Sequence, residues 1–195
     1  MLSRREMLIA LPLVGLVGAC AGKDPAPSFP AFSFAGGPLL FNLGDIATEN
    51  VFNPLGSGHV EADFDVSPQV AFENWMGDRV QAAGTNGHMT VTLLDASAVE
   101  TYLPVTTGIE GAFRSEQGRK VSTRLSARFA AELREGEAWR RAETTVTAEY
   151  SATMAKDVSF TERRQALYAI SRELINQFDS RAMAALRRDL RIFLG

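Results

Sequence analysis

The sequence predicts an α+β fold, a two-layer sandwich in which two helices cover one face of a mostly antiparallel sheet. Apolar and polar residues alternate from Val121 to Leu133 and again from Ala138 to Met154, which predicts a long hairpin with one buried face. Apolar residues recur instead at three- and four-residue steps after Ser67 and after Ser159, which is typical of amphipathic helices. Together these patterns place one helix before the hairpin and one after it.

The region before the hairpin contains shorter predicted elements. Leu39–Ile46 alternates as in a strand, and a short extended piece covers Val60–Phe64. Ser67 and Pro68 are expected to begin a helix. Serine caps the first turn, and proline is tolerated there because an N–H at that position would have no partner within the helix. Gly84 is the expected end of this helix. Two further strands are predicted, Met89–Leu94 and Val99–Leu103.

The hairpin and the last helix have the clearest patterns. Residues Arg134–Glu137 form the predicted turn. The residues of the second arm that we expect to face the core are Ala142, Val146, Ala148, Tyr150, Ala152 and Met154. Ser159 and Glu162 match a capping box, in which each side chain binds the other residue's backbone N–H. The helix that follows either runs to Phe193 or breaks near Asp179-Ser180, where a second cap is available.

Length and composition fit one globular domain with its own core: 195 residues, of which 46% are hydrophobic and 22% charged. The single cysteine excludes an internal disulfide framework, and two histidines argue against a zinc or haem site. We therefore expect no metal and no cofactor.

The predicted organisation is a signal peptide over residues 1–19, a lipidated cysteine with a Pro/Gly-rich tether over residues 20–38, and one α+β domain over residues 39–195.

The first twenty residues have the pattern of an export signal. Arg4 and Arg5 precede an apolar run over Leu8–Val17, which is too short to span about 30 Å of hydrocarbon. The run ends in Val17-Gly18-Ala19-Cys20, which resembles the lipobox of bacterial lipoproteins. That resemblance implies that Cys20 is acylated, becomes the mature N-terminus and holds the protein on a membrane. The alternative is an ordinary signal peptide with a chance cysteine.

Other residues of this region bear on the export route and the destination. Ser3-Arg4-Arg5 resembles a twin-arginine export signal, although ordinary secretion signals can begin in the same way. Ala21-Gly22 follows the cysteine, where enteric lipoproteins retained in the inner membrane have an aspartate. The resemblance thus implies a periplasm-facing protein, on the outer membrane in preference to the inner one.

We expect the tether's Phe29, Phe32 and Phe34 to dock on the domain, the alternative being the lipid interface.

Charge is divided unevenly along the mature chain. Residues 21–112 contain 11 acidic and 2 basic residues, whereas residues 113–195 contain 11 acidic and 16 basic ones. One interpretation is that the second half presents a surface to lipid headgroups or an acidic partner. The alternative is that the two halves interleave in one fold and neutralise each other. A nucleic-acid partner is not expected for an exported, net acidic chain.

Two groups of charged residues are candidate site residues, and we assign no catalytic residue. Glu61, Asp63 and Asp65 alternate, which would place three carboxylates on one face of an extended segment, as for calcium binding or acid/base chemistry. The alternative is a solvated strand edge.

The second group lies on the polar side of the first hairpin arm. Arg124, Arg128 and Arg134 form a stripe that would suit an anion or an acidic partner. The alternative is an ordinary solvated face.

The lipobox, the Pro-rich tether and the order of strand, helix, three strands and helix resemble two groups of envelope lipoproteins. These are the lipopolysaccharide-assembly lipoprotein of the outer-membrane translocon and the auxiliary lipoproteins of ABC-type lipid transport systems. The resemblance implies a non-catalytic accessory in envelope lipid or lipopolysaccharide transport, with an envelope protein or lipid as partner. A structural envelope scaffold and an envelope hydrolase with an unfamiliar site are the alternatives.

Overall fold

The computed structural model describes residues 28–104 and 117–195 of the chain. Within these ranges it confirms the α+β class, with two helices and a mixed sheet in which antiparallel pairs predominate. The elements are β1 (Leu39–Phe41), β2 (Asp45–Asn50), α1 (Pro68–Arg79), β3 (Val80–Ala82), β4 (His88–Asp95), β5 (Ala98–Tyr102), β6 (Gln117–Glu135), β7 (Ala138–Ala155) and α2 (Phe160–Asp189).

The long hairpin of β6 and β7 dominates the sheet. Its arms contain 19 and 18 residues and turn at Gly136, whose φ of 61° favours glycine. Phe129 pairs with Thr144, so the apolar positions of both arms lie on the same face of the sheet. The predicted alternation is confirmed, since the buried residues include Val121, Leu125, Ala127, Phe129, Val146, Ala148 and Met154.

β4 and β5 pair with the edge of β6 opposite β7, β2 pairs with β4, and β1 and β3 form a separate two-stranded sheet. β4 and β5 lie end to end along this edge, separated by a shift in register, and both are antiparallel to β6. β2 lies beside β4 and runs parallel to it, and β1 is likewise parallel to β3. β1 and β2 precede α1, whereas β3 and β4 follow it. The strands of each pair are parallel because the crossover through α1 brings the chain back beside the earlier strand in the same direction.

Two expected boundaries before the hairpin were wrong. The strand expected over residues 39–46 is broken between β1 and β2, because the chain there crosses the segment near Gly84. A Cβ on Gly84 would lie 2.5 Å from the carbonyl carbon of Asn42, so this glycine permits a close backbone approach and does not end the helix. α1 ends earlier, at Arg79, since Val80 is extended and pairs with Leu39.

The last helix begins where the sequence predicts and does not break. Ser159 Oγ accepts the Glu162 N–H, and the Glu162 carboxylate accepts the Ser159 N–H at 2.9 Å, which confirms the capping box. The helix continues through Asp179-Ser180 because Asp179 binds side chains of α1 instead of capping a new helix.

Both helices pack on the apolar side of the sheet. Trp75 of α1 stands edge-on to Phe178 and Phe129, at ring distances of 5.1 and 6.1 Å.

The end of the predicted tether is docked on the helices. Phe32 is buried, and the rings of Phe29 and Phe32 lie 5.2 and 5.0 Å from that of Tyr168 in α2. Arg79 Nη1 donates to the carbonyls of Gly36 and Gly37, each at 2.9 Å. The expected docking of these aromatic residues is confirmed for Phe29 and Phe32. Residues 28–38 are therefore packed against the domain. Residues 20–27 of the tether and the leader lie outside the described residues.

Candidate docking surface

One face of the sheet is packed against the helices, and the other carries a different set of side chains. In β4, Met89, Val91 and Leu93 are buried towards the helices, so Thr90 and Thr92 project from the opposite side. We name this side the open face. The residues that project from the open face on β4, β6 and β7 include Thr90, Thr92, Ser122, Arg124, Ser126, Arg128, Ala130, Glu132, Arg134, Trp139, Arg141, Glu143, Thr145, Thr147, Glu149 and Ser151.

The three arginines of the predicted stripe differ in how they are held. Arg124 lies between two acidic residues, 3.4 Å from Asp95 and 2.5 Å from Glu149. Arg134 donates from Nε to the Gly136 carbonyl at 3.0 Å, and its guanidinium lies 5.9 Å from the ring centre of Trp139. Arg128 makes no ion pair within the described ranges of the chain. It is therefore the cation of the stripe best able to meet a ligand.

Short hydroxyl side chains surround Arg128. Its strand neighbours are Thr92 on β4 and Thr145 on β7. Ser126 and Thr147 share a hydrogen bond of 2.8 Å beside it. The Thr92 hydroxyl is buried and has no hydrogen-bond partner among the described residues. A partner group that approached Arg128 would thus also meet hydroxyl groups.

Two shallow depressions flank this central area. The first, of about 500 Å³, includes Ser122, Arg124 and Glu149 in its lining. The second, of about 540 Å³, includes Thr90 and Glu143. The side chains that line both depressions include both signs of charge, so the face suits a partner surface that carries polar groups.

The three candidate carboxylates are not arranged as expected. Glu61–Asp63 is a single turn of 3-10 helix instead of an extended segment, so the prediction that the three share one face of a strand was wrong. Glu61 Oε1 lies 2.7 Å from His59 Nδ1 and accepts the Ala98 N–H at 2.7 Å. This hydrogen bond to Glu61 raises the pKa of His59.

The other two carboxylates bind the first turns of α2. Asp63 accepts from Arg163 at 2.7 Å, and Asp65 binds both Nε and Nη2 of Arg164. The Arg164 hydrogen bond lowers the pKa of Asp65. Each candidate carboxylate thus has its own internal partner. Among the described residues, no group of three or more His, Cys, Asp or Glu side chains is placed to hold a metal ion.

Ion pairs in the fold join charged residues from the two halves of the sequence. Arg163 binds Glu100 at 2.6 Å as well as Asp63, and Arg119 lies 3.7 Å from the same Glu100. Arg124, which is in the second half of the chain, likewise pairs with Asp95 of the first half. In each pair an acidic residue of the first half neutralises a basic residue of the second, as the interleaving alternative predicted.

The hydroxyl residues around Arg128 were not singled out from the sequence. Ser126 lies in the recognised polar alternation of β6, but Thr92 could be placed beside Arg128 only once the pairing of β4 with β6 was known. His88 lies at the start of β4, 3.0 Å from Asp45 and 2.8 Å from the hydroxyl of Thr90.

No protein-family model matches this chain, and no curated protein sequence matches it. In the part of the chain that the structure describes, neither helix is long and apolar enough to cross a bilayer. Cys20 lies outside the described residues, so its acylation stays a prediction.

Proposed function

We propose that this protein is a periplasm-facing envelope lipoprotein that acts as a non-catalytic accessory in lipid or lipopolysaccharide transport or assembly. In this proposal the acylated Cys20 supplies the anchor, and the open face binds an envelope partner.

The observation that carries the proposal is the one-sided packing of the sheet. Both helices lie on the apolar face, while the open face presents Arg128 among short hydroxyl side chains. An arginine without a carboxylate partner can form charge-assisted hydrogen bonds to a partner's carboxylate or to a lipid phosphate. The face is also rigid, because β6 is paired on both edges, and a rigid surface loses less entropy on binding.

The contacts of the candidate carboxylates favour a non-catalytic accessory over a hydrolase. An acid/base pair needs groups that converge on a substrate. Asp63 and Asp65 instead bind two different arginines of α2 and hold the 3-10 turn against that helix. Their arrangement supports a structural role for the residues on which a hydrolase site would have depended.

The anchor is tested by the mass of the mature N-terminus. The wild-type protein is purified from membranes and compared with the Cys20→Ser variant. We expect a diacyl or triacyl mass on Cys20 in the wild type, and release of the variant from membranes. An unmodified wild-type cysteine would refute the lipoprotein proposal.

The accessory role is tested by recovery of partners from cross-linked envelopes. Tagged wild type is compared with Arg128→Glu and with the control Arg172→Glu, which changes an exposed residue of α2. We expect a transport or assembly component to be recovered stoichiometrically with the wild type and the control, and to be lost with Arg128→Glu. Equal recovery with both variants would show that the open face is not the binding surface.

A further inference from the structure

The two ends of this elongated molecule differ in a way that bears on membrane contact. The hairpin turn, with Trp139, forms one end. The other end, which we name the base, contains the last residues of β5 and β7 and the first turn of α2. At about 3.3 Å per residue, the 16 steps from Trp139 to Ala155 separate the two ends by roughly 50 Å. α2 runs back from the base, since Thr144 binds Asp189 near the helix's far end at 2.8 Å.

The described chain begins at the base. Phe29 packs on Tyr168 in the first half of α2, and the guanidinium of Arg164 lies 4.9 Å from the Phe29 ring. Eight residue-to-residue steps lead from Cys20 to Ser28, and a chain of that length spans at most about 29 Å. An anchor on Cys20 would therefore hold the base near the bilayer and leave the hairpin turn far from it.

The base also exposes aromatic side chains. Phe160, the first residue of α2, is 75% exposed, and Tyr102, the last residue of β5, is 73% exposed. Arg164 lies between the rings of Phe160 and Phe29, 5.7 and 4.9 Å from their centres, and Asp65 binds its guanidinium. Phe160 is thus presented outward at the start of a well-capped helix. Tyrosine is enriched at the interface between water and lipid, and an exposed phenylalanine on an interfacial helix inserts at the boundary between headgroups and acyl chains.

We propose that the base is a membrane-contacting surface, in which Phe160 and Tyr102 enter the headgroup region of the bilayer that holds the acylated Cys20. This inference rests on the anchor in the proposed function. Acyl chains and interfacial aromatic residues act together, since stable membrane attachment is strengthened by a second point of contact. The contact would orient the molecule, with the hairpin and much of the open face extending away from the membrane.

The test is fluorescence quenching in the lipidated full-length protein. The protein is reconstituted in phosphatidylcholine vesicles whose acyl chains are either brominated or unmodified. Wild type reports on Trp139 at the hairpin turn, and the variant Phe160→Trp with Trp139→Phe reports on the base. Trp75 is fully buried and contributes the same background to both. Phe160 is largely exposed, so its replacement leaves the core unchanged.

We expect brominated lipid to reduce the emission of the Phe160→Trp variant and to leave wild-type emission unchanged. Quenching of wild type alone would reverse the proposed orientation. Absence of quenching in both proteins, when mass analysis shows that Cys20 is acylated, would overturn the membrane contact and leave the lipoprotein proposal intact. An unmodified Cys20 would overturn both.

Discussion

Replacing Asp179 by alanine should produce the largest loss of stability among single polar substitutions on α2. Asp179 Oδ1 accepts hydrogen bonds from Trp75 Nε1 and Arg79 Nε, each at 2.8 Å. Trp75 is fully buried and Arg79 is 5% exposed, so both donors would lose their acceptor inside the protein.

The magnitude follows from these contacts. Each buried donor left without an acceptor costs about 1–3 kcal/mol. The Asp179 side chain is 20% exposed, so water can partly replace it, and Arg79 keeps its bonds to Gly36 and Gly37. We therefore expect a loss of roughly 2–3 kcal/mol in the free energy of unfolding. For a domain of this size, that corresponds to a decrease in Tm of about 5–10 °C.

Urea unfolding followed by circular dichroism would measure this effect. The matched control is Asp78→Ala, which removes an exposed carboxylate from α1 and should change the free energy of unfolding by less than about 0.5 kcal/mol. The paired replacement Arg79→Met with Asp179→Leu should recover part of the loss, because no buried charge remains. A cost below about 1 kcal/mol for Asp179→Ala, or an equal cost for the control, would refute the reasoning.

Three other substitutions test separate parts of the fold. Ser159→Ala should cost about 1 kcal/mol in the free energy of unfolding because it removes the cap of α2, whereas Thr161→Ala, at an exposed position, should cost less. Gly84→Ala should lower Tm sharply, since its Cβ would meet backbone atoms at 2.5 Å, whereas Gly77→Ala meets nothing and should raise Tm slightly. The hydrogen bonds of Arg188 and Thr144 lower the pKa of Asp189 to about 2, so its stabilising effect is complete above pH 4 and is lost as pH falls towards 2. Asp189→Asn should therefore show a smaller decrease in urea midpoint between pH 5 and pH 2 than wild type does, and an equal decrease would contradict this assignment.

The parts of the fold that depend on local periodicity could be predicted from the sequence. Alternation in the hairpin arms specifies which side chains face the core, and the capping box at Ser159 specifies where α2 begins. The end of α1 could not be predicted, because Val80 leaves the helix to pair with Leu39, more than forty residues earlier. The parallel pairing of β2 with β4 has the same origin in long-range contacts.

The candidate surface was predictable to a similar degree. Alternation correctly placed Arg124, Arg128 and Arg134 on one side of β6, but it contained no information about their partners. Asp95 reaches Arg124 from a neighbouring strand, and this contact distinguishes Arg124 from Arg128. The carboxylates were misplaced because a single 3-10 turn changes the direction of side chains that a strand would have aligned.

Site-specific photo-cross-linking in living cells tests the central claim most directly. A photoreactive residue at Thr145, which is exposed on the open face beside Arg128, is compared with one at Arg172, which is exposed on α2. The proposed function predicts that an envelope transport or assembly component cross-links from Thr145 and not from Arg172. The same component cross-linking from Arg172 and not from Thr145, or no adduct from Thr145 at all, would contradict it.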